Sequence, residues 1–163
     1  MKKIKVFSIF AVLLGGLFLL SGCGQKELTG SLEEIMSNLN DYVFEGYADD
    51  EKPMLMNINV LQEQPDNIEY FIGTTDIEYE EILASEPMIS SIAYSVVLVK
   101  MKDGSDIETA KEKILDTVNP RKWGCVDVPE EDIIVKNRVN VIALIMVADE
   151  TFRTKLDTGF DKI

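Results

Sequence analysis

Histidine is absent from this 163-residue sequence, and cysteine occurs only twice. Without histidine, the chain lacks the most common general base and the most common metal ligand. Ser-His-Asp triads, histidine-activated cysteines and HExxH zinc sites are therefore excluded. Two cysteines also cannot form a four-cysteine zinc site. We accordingly expect no metal ion and no cofactor in this protein.

Basic residues are also scarce, since 16 Lys and Arg stand against 29 Asp and Glu, giving a formal net charge of −13. A protein that holds nucleic acid without sequence preference needs a basic surface. The charge balance therefore predicts no nucleic-acid partner. The length is that of one domain, and a domain of this size buries about 70% of its unfolded surface, enough for a core without disulfides.

The N-terminal segment has the order of a bacterial lipoprotein signal peptide. Three lysines precede a run of fifteen residues, 6–20, which are apolar or glycine apart from one serine. That run is shorter than the ~20 residues that a membrane-spanning helix needs. The pattern of a lipobox follows it, formed by Leu20, Ser21, Gly22 and Cys23. An ordinary secretory signal, or an uncleaved anchor with a chance cysteine, is the alternative.

The lipobox predicts that a peptidase recognises Leu20, Ser21 and Gly22 and cleaves before Cys23, whose thiol receives a diacylglyceryl group. Two acyl chains, at ~0.8 kcal/mol per buried CH₂, anchor a protein stably where one chain is marginal. We therefore expect Cys23 to hold the protein at the extracytoplasmic face of the cell membrane. The expected division is a signal peptide at 1–22, a lipidated cysteine and tether at 23–30, and one domain at 31–163.

Capping boxes, in which Ser or Thr precedes Glu by three residues, predict three helix starts, at Ser31, Thr75 and Ser105. The predicted helices cover 31–45, 76–85, 105–118 and a final segment capped by Asp149. Partial alternation predicts a short strand at 54–61, where a helix turn is the alternative. Strands are also predicted at 68–72, 132–136, 139–147 and 89–101, the last of which is rich in β-branched and aromatic residues. Short connections favour a hairpin for 132–147. Helices on one face of a mostly antiparallel sheet give an α+β, two-layer sandwich.

Several stretches of the second half together resemble the sequence pattern of a known family. The most specific of these stretches is Pro-Arg-Lys-Trp-Gly-Cys at 120–125. The others are 86–89, 95–99, 103–106 and 139–146. Through them, residues 76–148 resemble an uncharacterised family of small Gram-positive lipoproteins, a domain of unknown function. The resemblance implies a fold and an envelope location, and it brings no activity or catalytic residues. Residues 137–140 depart from the pattern, because a glycine is expected in that turn.

Arg121, Lys122 and Trp123 form the one basic and aromatic spot of the acidic domain. Arginine pairs with phosphate or carboxylate through two hydrogen bonds, and tryptophan often anchors interfaces. These residues are therefore the candidate interaction site. The alternative is structural: Trp123 and Cys125 fill the end of the core while the two cations bridge nearby acids. We expect Cys125 to be buried, because free cysteines usually are.

Other polar clusters have simpler interpretations. Acids at 49–51, 78–81 and 130–132 do not by adjacency create the ~5–9.5 Å carboxylate pair of a glycosidase. Residues 103–108 offer oxygen ligands for Ca²⁺ but lack the EF-hand pattern, so a turn and helix cap are favoured. Met54 and Met56 are only weak evidence for a copper site, and packing of both side chains in the core is favoured.

From these patterns we expect a lipid-anchored binding or interaction module, not an enzyme. Its expected partners are the membrane, through the acyl chains on Cys23, and an envelope protein or a wall ligand. A small cell-envelope enzyme that uses carboxylates is the alternative. A structural subunit without a ligand is a third interpretation.

Overall fold

The computed structural model describes residue 28 and residues 30–163. The predicted lipobox, Leu20, Ser21, Gly22 and Cys23, lies outside the described residues. In the part of the chain that is described, no helix has the length and apolar character needed to cross a membrane.

The described chain forms helices and strands that alternate irregularly. The helices are α1 (Leu32–Val43), α2 (Val60–Glu63), α3 (Ile68–Ile72), α4 (Ile107–Thr117) and α5 (Glu150–Lys162). The strands are β1 (Leu55–Asn59), β2 (Tyr79–Pro87), β3 (Tyr94–Met101), β4 (Ile134–Arg138) and β5 (Val141–Val147). Short 3₁₀ turns occupy Asp49–Glu51, Pro65–Asn67 and Glu130–Asp132.

All five strands join one sheet in the order β1-β2-β3-β5-β4, and every neighbouring pair is antiparallel. The predicted α+β class with an antiparallel sheet is confirmed, and so is the hairpin formed by β4 and β5. The most apolar strands, β3 and β5, lie inside the sheet, where both neighbours satisfy their main-chain groups. β1 and β4 are the edge strands.

Helices cover both faces of this sheet, whereas the sequence predicted helices on one face. One face packs Tyr94 and Val96 of β3 against α1 and α5. The opposite face packs Val97 and Val99 of β3 against α3, α4 and the loop that contains Trp123. The physical reason is that β3 and β5 carry buried side chains on both faces, and such strands need cover on each. The structure therefore adds a third layer to the predicted two.

Local signals set several helix ends as predicted. The Ser31 hydroxyl accepts a hydrogen bond from the Glu34 N–H at 3.3 Å, and the Glu34 carboxylate accepts one from the Ser31 N–H at 3.0 Å. This capping box starts α1. Asp149 caps α5 by accepting the Phe152 N–H at 2.9 Å. At α4 the cap is Asp106, one residue beyond the predicted Ser105.

Two predicted strands are shorter than expected, since 54–61 ends at Asn59, where α2 follows, and 89–101 begins at Tyr94. Two other segments take a different type of secondary structure from the one predicted. Residues 68–72, predicted as a strand, form α3, which ends at Gly73 in the left-handed conformation with φ 78°. Residues 76–85, predicted as a helix, fall largely within β2. There the segment pairs with β1 and β3 on either side, and this tertiary pairing outweighs the local capping pattern at Thr75.

The turn between β4 and β5 holds a strained residue. Val139 has φ 51°, and it is the one non-glycine residue with positive φ in the described chain. The left-handed region is unfavourable for a β-branched side chain. The glycine expected in this turn is absent, and valine adopts the conformation that glycine would take without strain.

Candidate functional site

Of the three residues in the predicted contact motif, only Arg121 faces solvent. Its side chain is 80% exposed, and its Nε lies 3.6 Å from an Asp127 carboxylate oxygen. Trp123 is 7% exposed, and the Lys122 side chain is 1% exposed. The structure therefore places Lys122 and Trp123 in the core and leaves Arg121 as the accessible part of the motif.

The motif lies in a compact loop that follows α4. The Asn119 side-chain oxygen accepts the Arg121 N–H at 2.9 Å, and the Val128 N–H donates to the Pro120 carbonyl at 3.1 Å. These bonds fold the loop back over the sheet, so that Lys122 and Trp123 point inward.

Cys125 is exposed, which corrects the expectation that it is buried. The reason is local. Trp123 takes the core position in this loop, and Gly124, at φ 80°, turns the chain outward before the cysteine is reached. Cys125 has no disulfide partner among the described residues.

The Lys122 ammonium is buried against polar groups of two neighbouring strands. It forms an ion pair with Oε1 of Glu86, in β2, and it donates to the Ser95 hydroxyl, in β3, at 3.0 Å. Ser95 in turn donates to the same Glu86 oxygen at 2.7 Å. Each of the three side chains therefore contacts the other two.

Three aromatic rings enclose this ammonium group. The Lys122 Nζ lies 4.6 Å from the ring centroid of Tyr70, 5.5 Å from that of Phe71 and 5.3 Å from that of Trp123. A desolvated cation over aromatic faces gains about 2 kcal/mol. We call this set the Lys122 cluster; its members are Tyr70, Phe71, Glu86, Ser95, Lys122 and Trp123. It joins α3, the loop after α4 and the ends of β2 and β3.

Burial controls the electrostatics of the Lys122 cluster. It lowers the pKa of the Lys122 ammonium, while the Glu86 carboxylate opposes that change. Burial also raises the pKa of the Tyr70 phenol, and the neighbouring Glu86 carboxylate adds to this rise. A buried ion pair is sensitive to the loss of either partner, because the remaining charge has neither water nor a counter-charge. The cluster is therefore a structural connection that depends on Lys122 and Glu86 together.

Ser95 and Lys122 are residue types that can form a nucleophile and base pair. In such a pair a neutral lysine accepts the serine proton, whereas here Lys122 donates to Ser95 and Glu86 accepts from both. Ser95 is also fully buried, so its Oγ is closed to a substrate in this conformation. The arrangement is that of a packed polar network.

Beside the Lys122 cluster, five large apolar side chains are exposed by between 38% and 73%. Met54 and Met56 lie at β1, and the rest lie in the connection from β2 to β3. The two parts adjoin, because the Met88 N–H donates to the Met54 carbonyl at 3.3 Å and Met56 lies opposite Glu86 in the sheet. We call this set the apolar surface; its members are Met54, Met56, Met88, Ile89 and Ile92.

Sequence reasoning missed the apolar surface, and it placed Met54 and Met56 in the core. They lie at β1, an edge strand that has a neighbouring strand on one side only. One sequence signal was available. Residues 53–62 carry no charge, in a chain of which 28% is charged.

A groove of about 340 Å³ opens next to the apolar surface. Ile92 belongs to both, and Pro53 and Phe152 add apolar walls, while the exposed acids Glu51 and Asp149 also line it. Lys52 and Tyr94 are also among its lining residues, and the Tyr94 hydroxyl has no hydrogen-bond partner in the described chain. Burial raises the pKa of the Tyr94 phenol. The groove thus combines apolar walls with two carboxylates and one ammonium group, a net negative charge.

Metal ligation has no support among the described side chains, where no group of three or more His, Cys, Asp or Glu is placed to hold an ion. The acidic segment at 103–108 has a simpler role. Asp106 accepts the Thr109 N–H at 3.1 Å and so caps α4.

No family model matches this chain, and no curated protein or solved structure shows significant similarity to it. The resemblance of residues 76–148 to small Gram-positive lipoproteins therefore stays a prediction. The features that bear on function are the apolar surface, the groove and the Lys122 cluster.

Proposed function

We propose that this protein is a lipid-anchored, extracytoplasmic binding module that holds an apolar, basic segment of another envelope protein. The observation that carries the proposal is the apolar surface at β1 and the β2–β3 connection. Contiguous exposed apolar patches usually mark interaction sites in soluble domains. Methionine suits such a surface because its flexible, polarisable side chain adapts to a partner.

The charge around the apolar surface favours a basic partner. Asp49, Asp50 and Glu51 precede it in the sequence, separated from Met54 by two residues, and Asp149 lies across the groove. The nearby Lys52 is already paired with Asp49 at 2.9 Å. Electrostatic complementarity raises association rates and selects against partners of like charge. A segment that combines apolar side chains with lysine or arginine fits this surface best.

The location in this proposal rests on the lipobox residues Leu20, Ser21, Gly22 and Cys23, with acyl chains on Cys23 as the attachment. Replacing Cys23 with alanine should abolish lipid labelling and release the protein from the membrane fraction. Metabolic labelling with a fatty-acid analogue, followed by fractionation, measures both. Retention of the Cys23→Ala protein would overturn the lipid anchor and leave the binding proposal standing.

The Lys122 cluster has a supporting role in this account. It fixes the ends of β2 and β3, from which Met88, Ile89 and Ile92 project. Arg121, the exposed residue of the motif, is not a member of the apolar surface, and we propose no partner contact for it. We also propose no catalysis, since the buried hydroxyl of Ser95 offers no accessible nucleophile and no observation favours the carboxylate enzyme.

Serine substitutions test the binding role. Ile89→Ser removes an exposed apolar side chain from the surface, and Leu115→Ser removes one of similar exposure from α4. In intact cells of the native host, chemical cross-linking and purification should recover a partner with the wild type and with Leu115→Ser. Recovery should fall about tenfold with Ile89→Ser, the effect of losing about 1.4 kcal/mol of binding energy. Equal recovery with both variants would overturn the proposal.

A further inference from the structure

We infer that the partner segment binds in extended form, as a sixth strand added to the sheet at β1. This inference rests on the proposed function and specifies how the partner is held. Addition of a strand to an exposed sheet edge is a general mode of peptide recognition, in which main-chain hydrogen bonds supply affinity.

The register of β1 shows which of its main-chain groups are open. The Met88 N–H bonds to the Met54 carbonyl, and Met56 and Ile58 continue the same alternation opposite Glu86 and Ala84. In an antiparallel ladder the residues between hydrogen-bonded pairs direct their N–H and C=O groups the other way. Leu55 and Asn57 therefore present their main-chain groups to the open side of β1. Neither has a main-chain partner there in the described chain.

The β1 edge lacks the features that usually protect edge strands. Natural edges are blocked by charged side chains, by proline within the strand, or by bulges. The stretch 53–62 contains no charged residue, and its only proline, Pro53, precedes the strand. The pairing of β1 with β2 is regular along its whole length. An unprotected edge next to the apolar surface is suited to receive a strand.

Charges at the two ends of β1 define the chemistry of the added strand. Asp49, Asp50 and Glu51 lie before it, and Glu63 and Asp66 lie after it, all exposed. The matching segment has an uncharged, alternating apolar centre of about five residues, the usual length of a strand. Lysine or arginine stands at both of its ends. A second copy of this chain fits poorly, because pairing of the two β1 strands would bring the acidic residues of one copy close to those of the other.

The experiment uses the full chain in detergent micelles and a synthetic probe, Lys-Lys-Val-Thr-Val-Thr-Val-Lys-Lys. Asn57→Pro removes one outward N–H, a change that edge strands tolerate. Asn57→Ala, the matched control, keeps that N–H. The probe should bind the wild type and Asn57→Ala alike, and Asn57→Pro about tenfold more weakly, as expected for one lost hydrogen bond. Amide exchange at Leu55 and Asn57 should slow when the probe is bound.

A probe that is N-methylated on all five residues of its Val-Thr-Val-Thr-Val centre, which blocks both of its edges, gives a second test, which leaves the protein unchanged if Asn57→Pro does not fold. It should bind at least about tenfold more weakly than the parent probe. Equal binding of both probes, with unchanged exchange at Leu55 and Asn57, would overturn strand addition while the apolar surface could still bind a partner. Failure of the parent probe to bind would overturn it too. If amide exchange in β1 slows as the protein concentration rises, with no probe present, the edge is occupied by a second copy of this chain instead.

Discussion

Lys122 and Glu86 form an ion pair that is almost closed to solvent, with side chains 1% and 10% exposed. The two residues are 36 positions apart in the sequence, so their contact fixes the loop after α4 to the end of β2. Met88, a member of the apolar surface, lies two residues after Glu86. The pair therefore stabilises the part of the sheet that we propose to bind a partner.

Replacing Lys122 with methionine should destabilise the domain strongly. The substitution keeps an apolar stem among the aromatic rings but leaves the Glu86 carboxylate buried without a counter-charge. We expect the free energy of unfolding to fall by about 3–5 kcal/mol, measured by urea denaturation.

Arg121→Met is the control for that experiment, because it removes the neighbouring, exposed cation. It should change the free energy of unfolding by about 0.5 kcal/mol or less. The double variant Lys122→Met/Glu86→Gln should recover part of the loss, since no unpaired charge remains. If Lys122→Met behaves like Arg121→Met, the buried pair is not a stabilising connection.

Tyr94→Phe should leave the domain as stable as the wild type or more stable. The hydroxyl that it removes is buried and has no partner in the described chain, and an unsatisfied buried polar group costs about 1–3 kcal/mol. Thermal unfolding at neutral pH measures the change. A clear loss of stability would show that the hydroxyl has a partner after all.

The same variant should differ from the wild type at high pH. Burial raises the pKa of Tyr94 above the ordinary value of 10.0, so the unfolded chain releases this proton at a lower pH than the folded chain does. The titration of this phenol therefore leaves the stability of the domain unchanged below pH 10 and lowers it as the pH rises above that value. Tyr94→Phe should lose stability less steeply in that range, and identical slopes would contradict the burial of the phenol.

Val139→Gly should stabilise the β4–β5 turn. The valine holds φ 51°, and relieving a left-handed β-branched residue is worth about 1–2 kcal/mol. Glycine also adds freedom to the unfolded chain, so we expect a net gain of about 0.5–1 kcal/mol. Val139→Ala is the control, since alanine keeps the strain, and it should give no comparable gain in urea denaturation.

The Cys125 thiol should react with thiol reagents in the native protein. Its exposure in the loop after α4 gives a reagent access without unfolding. The rate of modification should be similar in the native protein and in urea. Modification that requires denaturant would show that the loop covers the thiol in solution.

Local and strongly patterned features could be predicted from the sequence. The capping box at Ser31 was sufficient to predict the start of α1, because its hydrogen bonds join residues three apart. β3 and β5 were predictable because a run of β-branched apolar residues is compatible with few structures other than a buried strand. Short segments were less reliable, since the run 68–72 suits a buried strand and a helix turn equally well. Its helical form depends on packing against the sheet and on Gly73 ending the turn.

The candidate site was less predictable, because it depends on distant contacts. The motif at 121–123 was found by composition, yet the partners that bury Lys122 come from α3, β2 and β3. No spacing rule joins Tyr70, Glu86 and Ser95. The apolar surface was missed because the exposure of Met54 and Met56 follows from the place of β1 at the sheet edge. That place is a property of strand order, which local sequence patterns do not encode.

The measurement that tests the central claim most directly is site-specific photo-cross-linking on intact cells. A photoreactive amino acid replaces Ile89 in one strain and Leu115 in a second. Our account predicts one dominant product from position 89, absent from position 115, in which the cross-linked peptide of the partner is apolar with flanking Lys or Arg. No product at position 89, or the same products from both positions, would contradict the account.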